Sequence, residues 1–315
     1  MALAAMEQKQ KGLGEKCLTF AKHVPVIHLH SEEGTPDLSD DSDAPTLAHV
    51  IAAYLATRTE KQRKHDRKQL KKWLEHPFGK KPLAEVDRYD AYEFLEEQGE
   101  DLSNSSVKVL KAALSGVFNW ACTKRDLGIS ENPFLQVPTK GLGRDGIQKR
   151  PLYPEEMDSL FKLDMPENVR LAFTILATTG MRSGNVLNLK PEHYRTSEDG
   201  IQHLDIRFMD TKTKGTKAMV PLLEAVPDLS GKLPLKVTQD ALNAYIDKVN
   251  DAPEVSLHSL RHSFKDRARD PGIAKEIQDY ITGHKQGDIA GSYGQGPSLK
   301  VRYENMMKVQ HPYLP

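Results

Sequence analysis

A chain of 315 residues is long enough for two domains that each bury a core. Its 44 basic and 44 acidic side chains cancel, which excludes the strong overall positive charge of a generic nucleic-acid binder and leaves only local charge clusters to consider. Cys17 and Cys122 lie far apart, which excludes a disulfide framework and fits a reducing cytosol, and the lack of a signal peptide or bilayer-length apolar run predicts a cytoplasmic protein.

The first 44 residues predict an N-terminal arm followed by an acidic linker. Residues 1–22 fit a short helix and residues 24–30 an extended segment. Residues 32–43 are acidic, contain four aspartates, and predict a flexible linker. His28 and His30 could form a metal pair, although two exposed histidines in an extended arm are the preferred interpretation.

Residues 45–138 predict a helical domain. Apolar periodicity and capping residues indicate four helices, over 46–55, 58–74, 87–98 and from Ser103 or Ser105 to about 124. In the last helix, the apolar positions that repeat at helical period are Val109, Ala113, Leu114, Val117, Phe118 and Ala121. These positions are expected to face the core.

The second of these helices is strongly basic. Between Arg58 and Lys72, eight basic side chains stand against only Glu60 and Asp66. The cations expected to contact DNA phosphates are Lys61, Lys64, Arg67, Lys68, Lys71 and Lys72. Such contacts would position the domain on DNA without reading its sequence. A solvated helix face is the alternative interpretation.

Residues 139–150 predict a basic, glycine-containing interdomain linker, and residues 151–315 predict a mixed domain. The expected helices begin at Pro154 and cover 167–179, 237–249, 258–269, 273–281 and 286–293. The expected strands cover 203–208 and 216–221, joined as a hairpin through Lys214-Gly215, and an amphipathic stretch covers 298–309. The fold class is therefore mainly α with a small β-sheet (α+β).

Three short motifs in the C-terminal half carry side chains suited to one reaction. They are Thr179-Gly180-Met181-Arg182, His258-Ser259-Leu260-Arg261-His262 and Gly283-His284, the last followed nine residues later by Tyr293. Taken singly, each has a structural explanation: Arg182 could neutralise helix C-terminal carbonyls, and Tyr293 could be a packed aromatic residue. Their combination indicates a shared site.

The chemistry that fits this combination is metal-free attack on a phosphodiester. Negative charge grows on the nonbridging oxygens, and the guanidinium groups of Arg182 and Arg261 match that geometry and stay charged. A tyrosine hydroxyl, with an ordinary pKa of about 10, must lose its proton as it attacks, and a neutral histidine can accept it. The leaving 5′-oxygen needs a proton donor, which Lys212 or Lys214 could supply.

A zinc hydrolase is a competing interpretation of the histidines. His258, His262 and His284 could serve as three ligands. However, Ser259 stands where the His-Glu-x-x-His pattern would place its glutamate. The expected reaction therefore uses no metal and no other cofactor.

From about residue 45 onward, the chain resembles the tyrosine recombinase family, and phage- and genomic-island-type integrases in particular. The first arginine box is matched by Ala177-Thr178-Thr179-Gly180-Met181-Arg182 with Val186-Leu187-Asn188-Leu189, and the second box by His258-Ser259-Leu260-Arg261-His262-Ser263-Phe264. The catalytic hairpin is matched by Thr211-Lys212-Thr213 before Met219-Val220-Pro221-Leu222, and the helical core-binding domain by Asn119-Trp120-Ala121 and Asn132-Pro133-Phe134. Gly283-His284 and Tyr293 have the spacing of the family.

The resemblance implies a role for each residue around the scissile phosphate. Tyr293 would be the nucleophile that forms a 3′-phosphotyrosyl link. Arg182 and Arg261 would clamp the phosphate, and His284 would hydrogen-bond to it. His258 would act as a base or orient the other groups.

The match to the family pattern is weaker at the general acid and at a few other positions. The resemblance implies Lys212 as the acid, with Lys214 in reserve because this hairpin is one residue longer than usual. Asn185 stands where the family usually has an acidic residue, so it can orient Arg182 without adding charge, and activity could be reduced. Residues 298–309 could pack on a neighbouring subunit, as the family's last helix often does, or fold back onto their own.

The resemblance also implies partners. These are double-stranded DNA attachment sites, four subunits acting on two duplexes, and accessory DNA-bending or directionality proteins, with no membrane. Two alternatives share the resemblance: a degenerate integrase that only binds DNA, which Asn185 favours, and a tyrosine-dependent relaxing or telomere-resolving enzyme. The sequence leaves open the DNA target, the host element, the preferred direction and the role of residues 1–44.

Overall fold

The computed structural model describes residues 46–209, 218–283 and 296–314. The chain divides into two compact units, Met1–Gly146 and Ile147–Pro315. The predicted arm and acidic linker, the Lys214-Gly215 turn and the helix expected over 286–293 lie outside the described residues. Within the described ranges, no helix is long and apolar enough to cross a bilayer.

Four α-helices form the described part of the first unit. They are α1 (Leu47–Ala56), α2 (Glu60–Glu75), α3 (Arg88–Asp101) and α4 (Asn104–Cys122). Capping residues set their N-termini: Thr59 forms a capping box with Gln62, Asp87 accepts hydrogen bonds from the first turn of α3, and the Ser103 hydroxyl accepts one from the backbone of Ser106. Ser103, rather than Ser105, is therefore the cap of α4.

Aromatic side chains fill the core of this unit. The fully buried ring of Trp73 lies 4.5 Å from that of Phe94 and 5.5 Å from that of Phe134, both edge to face. The prediction that Val109 faces the core is wrong, because its side chain is 42% exposed. Val107 and Leu110 are buried instead, whereas Leu114, Val117, Phe118 and Ala121 are buried as predicted.

Part of the segment predicted as a linker packs against the first unit. Asn104 donates from Nδ2 to the carbonyl of Leu142, and its backbone amide donates to the carbonyl of Arg144. Gly143 has φ of +83°, and a Cβ there would lie 2.7 Å from the amide nitrogen of Asn104. This close approach needs glycine and fixes residues 142–144 at the start of α4.

The second unit contains seven described α-helices and three strands. The helices are α5 (Pro154–Lys162), α6 (Glu167–Thr179), α7 (Ser183–Leu187), α8 (Gln239–Val249), α9 (Ser259–Arg269), α10 (Lys275–Thr282) and α11 (Leu299–Met306). The strands β1 (Tyr194–Thr196), β2 (Gln202–Asp205) and β3 (Met219–Pro221) form one antiparallel sheet in the order β1-β2-β3. The mainly helical fold with a small sheet is confirmed.

The sheet differs in detail from the sequence prediction. The strand expected over 203–208 ends at Asp205, and just beyond it the Arg207 side chain turns back to bind the Asp205 carboxylate through Nε and Nη2 at 2.9 and 2.8 Å. Of the strand expected over 216–221, residues 216 and 217 lie outside the described residues, and β3 begins at Met219. The short strand β1, paired through Tyr194 with Leu204, was not predicted.

The C-terminal segment, residues 298–314, folds back onto its own unit. Met306 and Val309 are buried in a cluster with Phe264 and Ile281. Farther along, the Tyr313 ring packs 4.9 Å from that of Phe161. These contacts are the cis arrangement; packing on a neighbouring subunit stays a prediction.

His311 and Tyr313 form a buried titratable pair in that segment. Nδ1 of His311 lies 2.7 Å from the Tyr313 hydroxyl, and the Arg267 guanidinium stacks 4.2 Å from the centre of the Tyr313 ring. Burial, together with the charge of Arg267, lowers the pKa of His311 from 6.5 to about 4. The histidine is therefore neutral in the folded protein and must stay so for this packing to persist.

Acid is expected to weaken the second unit through His311. Because the unfolded chain binds this proton more tightly than the folded one, stability present above pH 6.5 is lost as pH falls towards 4. The loss between pH 7 and pH 5 should be about 2 kcal/mol, visible as a fall in Tm of several degrees. In His311→Asn, whose side-chain oxygen can replace Nδ1, this part of the pH dependence should disappear. An unchanged pH dependence in that variant contradicts the prediction.

Candidate active site

Arg182 is placed by a tight turn at the end of α6. Gly180 ends that helix with φ of +61°, and a Cβ there would lie 2.5 Å from the ring of Phe264 on α9. Glycine is thus required both by the backbone and by the close approach of α9. Arg182 follows as the N-cap residue of α7, is half-buried, and donates from Nη1 to the carbonyl of Gly283 at 2.9 Å.

Arg261 reaches the same place from α9. Its side chain is 3% exposed, and Nη1 donates to the carbonyls of Gly180 at 2.7 Å and Thr282 at 2.5 Å. Burial first, and then the charge of Arg182, lowers the pKa of Arg261 to about 10, so it remains charged at neutral pH. Two guanidinium groups therefore meet at the end of α10, at the two residues that directly precede His284.

His258 lies one helical turn before Arg261. It is the N-cap residue of α9, and its carbonyl accepts a hydrogen bond from the amide of Arg261 at 3.1 Å. Burial, followed by the charges of His262, Arg261 and Arg182, lowers the pKa of His258. A histidine kept neutral beside two arginines can accept a proton at neutral pH.

Asn185 lies behind this cluster on α7. Its side chain is 7% exposed, and its backbone amide donates to the carbonyl of Arg182 at 2.9 Å. Nδ2 is buried and has no hydrogen-bond partner among the described residues. The position at which the resemblance implied an acidic residue thus holds a neutral, buried amide.

The structure brings together three of the six predicted catalytic residues, Arg182, His258 and Arg261. Lys212, His284 and Tyr293 lie outside the described residues, as does the reserve acid Lys214. The described neighbours of His284 are fixed by Arg182 and Arg261 through the bonds to Gly283 and Thr282. The roles of all six residues stay predictions.

A supporting ion cluster behind Arg261 was not predicted. Asp279 on α10 is 2% exposed, pairs with Lys265 at 3.1 Å and also binds Lys275, and its charge acts on Arg261. The only sequence signal for Lys265 and Lys275 as supporting residues is that they follow the second arginine box. Within the described ranges, no group of three or more His, Cys, Asp or Glu side chains is arranged to hold a metal ion.

The cations of α2 differ in their exposure and in their partners on the protein. Arg63 donates to the carbonyl of Leu55 at 3.2 Å, and Lys71 pairs with Glu75 at 3.3 Å, so these two have partners on the protein. The exposed cations expected to bind DNA are Lys64, Arg67, Lys68 and Lys71, whereas Lys72 is half-buried. The Lys61 side chain lies outside what the structure describes. The assignment of this face to phosphate contact stays a prediction.

Removing three exposed cations from α2 should weaken DNA binding and reduce its salt dependence. We expect the triple variant Lys64→Gln, Arg67→Gln, Lys68→Gln to lower the slope of log Kd against log salt by about 2–3, because each lost phosphate contact removes nearly one released counterion. Fluorescence anisotropy of labelled duplex DNA at several salt concentrations measures this slope. The matched control replaces the exposed Lys162, Lys236 and Lys248 of the second unit with Gln, removing the same charge. If both variants change the slope equally, the effect belongs to net charge and not to α2.

Comparisons with known proteins agree on the fold. No family model matches the chain. A Haemophilus influenzae protein described as "Putative integrase/recombinase" is 24% identical over 186 residues, which cover 56% of this chain and 58% of that protein. The chain thus matches little more than half the length of this curated relative.

Solved structures match over more of the chain. A lambda integrase tetramer bound to a Holliday junction aligns with a TM-score of 0.59 and 17% identity, covering 84% of this chain and 85% of that one. The Tn1549 transposon integrase in complex with transposon right end DNA aligns with a TM-score of 0.58 and 18% identity, covering 84% and 99%. These matches confirm the fold that the motif resemblance implied.

Proposed function

We propose that this chain, which has the tyrosine recombinase fold, performs site-specific DNA integration or excision through a 3′-phosphotyrosyl intermediate. The observation that carries the proposal is the meeting of Arg182 and Arg261 at the carbonyls of Gly283 and Thr282, with His258 beside them. Two fixed guanidinium groups and a neutral histidine form a site for a phosphodiester in its transition state.

The cleavage step moves one proton within the enzyme and passes another from the enzyme to the DNA. The Tyr293 oxygen attacks phosphorus while the bond from phosphorus to the 5′-oxygen breaks. The phenolic proton passes to His258, and the leaving oxygen takes a proton from Lys212, or from Lys214 if the longer hairpin places that residue at the phosphate. Arg182, Arg261 and His284 bind the nonbridging oxygens, where charge increases.

The rejoining step reverses this chemistry on another strand. A 5′-hydroxyl from a partner duplex attacks the phosphotyrosyl bond, so the energy of the broken backbone is kept and no nucleotide is consumed. Exchange of two strand pairs requires four subunits on two duplexes, the arrangement named for the lambda integrase tetramer on a Holliday junction. The first unit would hold the attachment site through the α2 cations, and accessory DNA-bending or directionality proteins would assist.

A nicked suicide duplex tests this function. It carries the DNA that flanks the gene, and a nick near the cleavage position lets the short 5′-hydroxyl fragment diffuse away so that rejoining fails. The proposal expects a protein–DNA complex that survives denaturation and forms equally well in EDTA. Cleavage that leaves no covalent complex and is lost on chelation favours the zinc alternative through His258, His262 and His284, because a zinc-bound water would then be the nucleophile.

The same DNA separates the related alternatives. DNA binding with no covalent complex would indicate a catalytically weakened integrase, for which Asn185 is the relevant departure. A covalent complex with supercoil relaxation and no recombinant product, when two sites are supplied, would indicate a relaxing or resolving enzyme. The proposal expects recombinant product from two sites.

A further inference from the structure

Arg302 is a buried cation that joins three parts of the second unit. It lies on α11 and is 3% exposed. Its Nε donates to the carbonyl of Pro297 and its Nη1 to the carbonyl of Met219 on β3, both at 2.9 Å. Its guanidinium carbon lies 5.1 Å from the centre of the Tyr280 ring on α10. One side chain thus connects the sheet, α10 and the start of α11.

These contacts stand beside the two segments that carry the proposed acid and nucleophile. Met219 lies two residues after segment 210–217, which contains Lys212. Pro297 lies two residues after segment 284–295, which contains Tyr293, and Tyr280 lies four residues before it. Arg302 therefore binds backbone just beyond each segment.

The Tyr280 ring also packs against the backbone that follows segment 284–295. Gly296 has φ of +68°, and a Cβ there would lie 2.2 Å from Cζ of Tyr280. The backbone that leaves segment 284–295 therefore rests directly on this ring, while Arg302 lies close to the same ring and binds the next residue. The exit of the segment is fixed by packing and by a hydrogen bond together.

Packing alone does not explain an arginine at this buried position, because burying its charge costs free energy. Burial lowers the pKa of Arg302, with Tyr280 opposing and Arg207 adding to the shift, so the charged form is disfavoured at this position. Leu299 and Met306, one turn away on either side, already supply apolar packing. What an apolar residue could not supply is a donor to the carbonyl of Met219, on the edge strand of the described sheet.

We propose that Arg302 is a positioning residue, which holds β3 in register with the backbone that leaves the tyrosine segment. The inference rests on the proposed function. By fixing the strand that follows segment 210–217, Arg302 would help Lys212 to deliver its proton to the leaving oxygen. In this role Arg302 would act through the carbonyl of Met219 and not on the phosphate itself.

The test compares Arg302→Met, which removes both donors, with Arg302→Lys, which keeps the charge and can reach one carbonyl. Lys300→Met, at an exposed position of the same helix, is the matched control. The first measurement is hydrogen–deuterium exchange. Peptides containing 218–222 and 296–298 should exchange faster in Arg302→Met, while α6 keeps its protection.

The second measurement is the rate of the covalent complex on two suicide duplexes. One has ordinary DNA, with the cleavage position mapped using the unaltered chain, and the other has sulfur in place of the bridging 5′-oxygen at that position. A thiolate leaves without a proton, so it bypasses the general acid. Arg302→Met should be slower by about 10-fold or more on ordinary DNA and by less than about 3-fold on the sulfur substrate, since general acids typically contribute about 100-fold or more.

Each outcome decides the proposal. Recovery on the sulfur substrate, with Arg302→Lys intermediate on ordinary DNA, supports it. An equal loss on both duplexes, unchanged exchange at 218–222, or an equal loss in Lys300→Met overturns it. If Arg302→Met is unfolded at the assay temperature, Arg302→Lys carries the same comparison. Absence of any complex with the unaltered chain overturns the proposed function and this inference together, whereas a normal complex with an unaffected Arg302→Met overturns the inference alone.

Discussion

Replacing Tyr293 with Phe is expected to abolish the covalent protein–DNA complex and leave DNA binding unchanged. The substitution removes one oxygen, the proposed nucleophile, and keeps the ring. The phosphate would still be held by Arg182 and Arg261, whose described contacts are to backbone carbonyls. Denaturing gels of the suicide duplex measure the complex, and anisotropy of labelled duplex DNA measures binding.

Tyr303→Phe is the matched control for this prediction. Tyr303 lies on α11, ten residues after Tyr293, and is half-buried. We expect the Tyr303 variant to form the complex at the normal rate. A complex that persists in Tyr293→Phe and disappears in Tyr303→Phe would move the nucleophile to α11. Loss of DNA binding in Tyr293→Phe would show that the phenol acts earlier than the chemical step.

The helices of the first unit could be predicted because their ends carry local signals. Asp87 and Ser103 cap α3 and α4 at the positions expected from the sequence, and the predicted bounds of the four helices differ from the observed ones by three residues or fewer. The buried face of α4 was harder to predict. Val109 and Val107 are equally apolar, and only packing against the other helices decides which one faces the core.

Some features of the small sheet could not be predicted from local sequence signals. β1 has three residues and no apolar alternation, so it exists only because β2 supplies its hydrogen-bond partners. β2 ends beside the Arg207–Asp205 ion pair. The pairing of β1 cannot be read from propensity, because it depends on a partner strand that is in place only in the folded chain.

The sequence singled out the candidate site residues that lie in motifs and missed the supporting residues that lie outside them. Arg182 and Arg261 were identified by their boxes, although their bonds to carbonyls at the end of α10 could not be foreseen. In the C-terminal segment, the apolar Val301 and Met307 are 38% and 59% exposed, whereas the charged Arg302 is buried. Hydrophobicity could not predict this, because the buried helix face contains a charge that binds backbone carbonyls.

Replacing either Arg182 or Arg261 with Ala should slow cleavage by roughly 100-fold or more, the scale of removing one donor to transition-state charge. The two variants should differ in stability. Arg261 is buried and bonded to Gly180 and Thr282, so its loss leaves two carbonyls without this donor and should also lower Tm by several degrees. Arg182 is half-buried with a bond to Gly283, so Tm should fall less. Single-turnover cleavage at saturating DNA, with thermal melts, separates the effects.

Arg170 provides the control that separates chemistry from support. Its guanidinium also binds two backbone carbonyls, those of Phe161 and Leu163, each at 2.8 Å. Arg170→Ala should therefore lower Tm much as Arg261→Ala does, while each folded molecule cleaves at the normal rate. If Arg170→Ala loses cleavage as severely as Arg261→Ala, the loss reflects weakened folding. If Arg261→Ala cleaves normally once the folded fraction is accounted for, Arg261 supports the end of α10 and does not bind the phosphate.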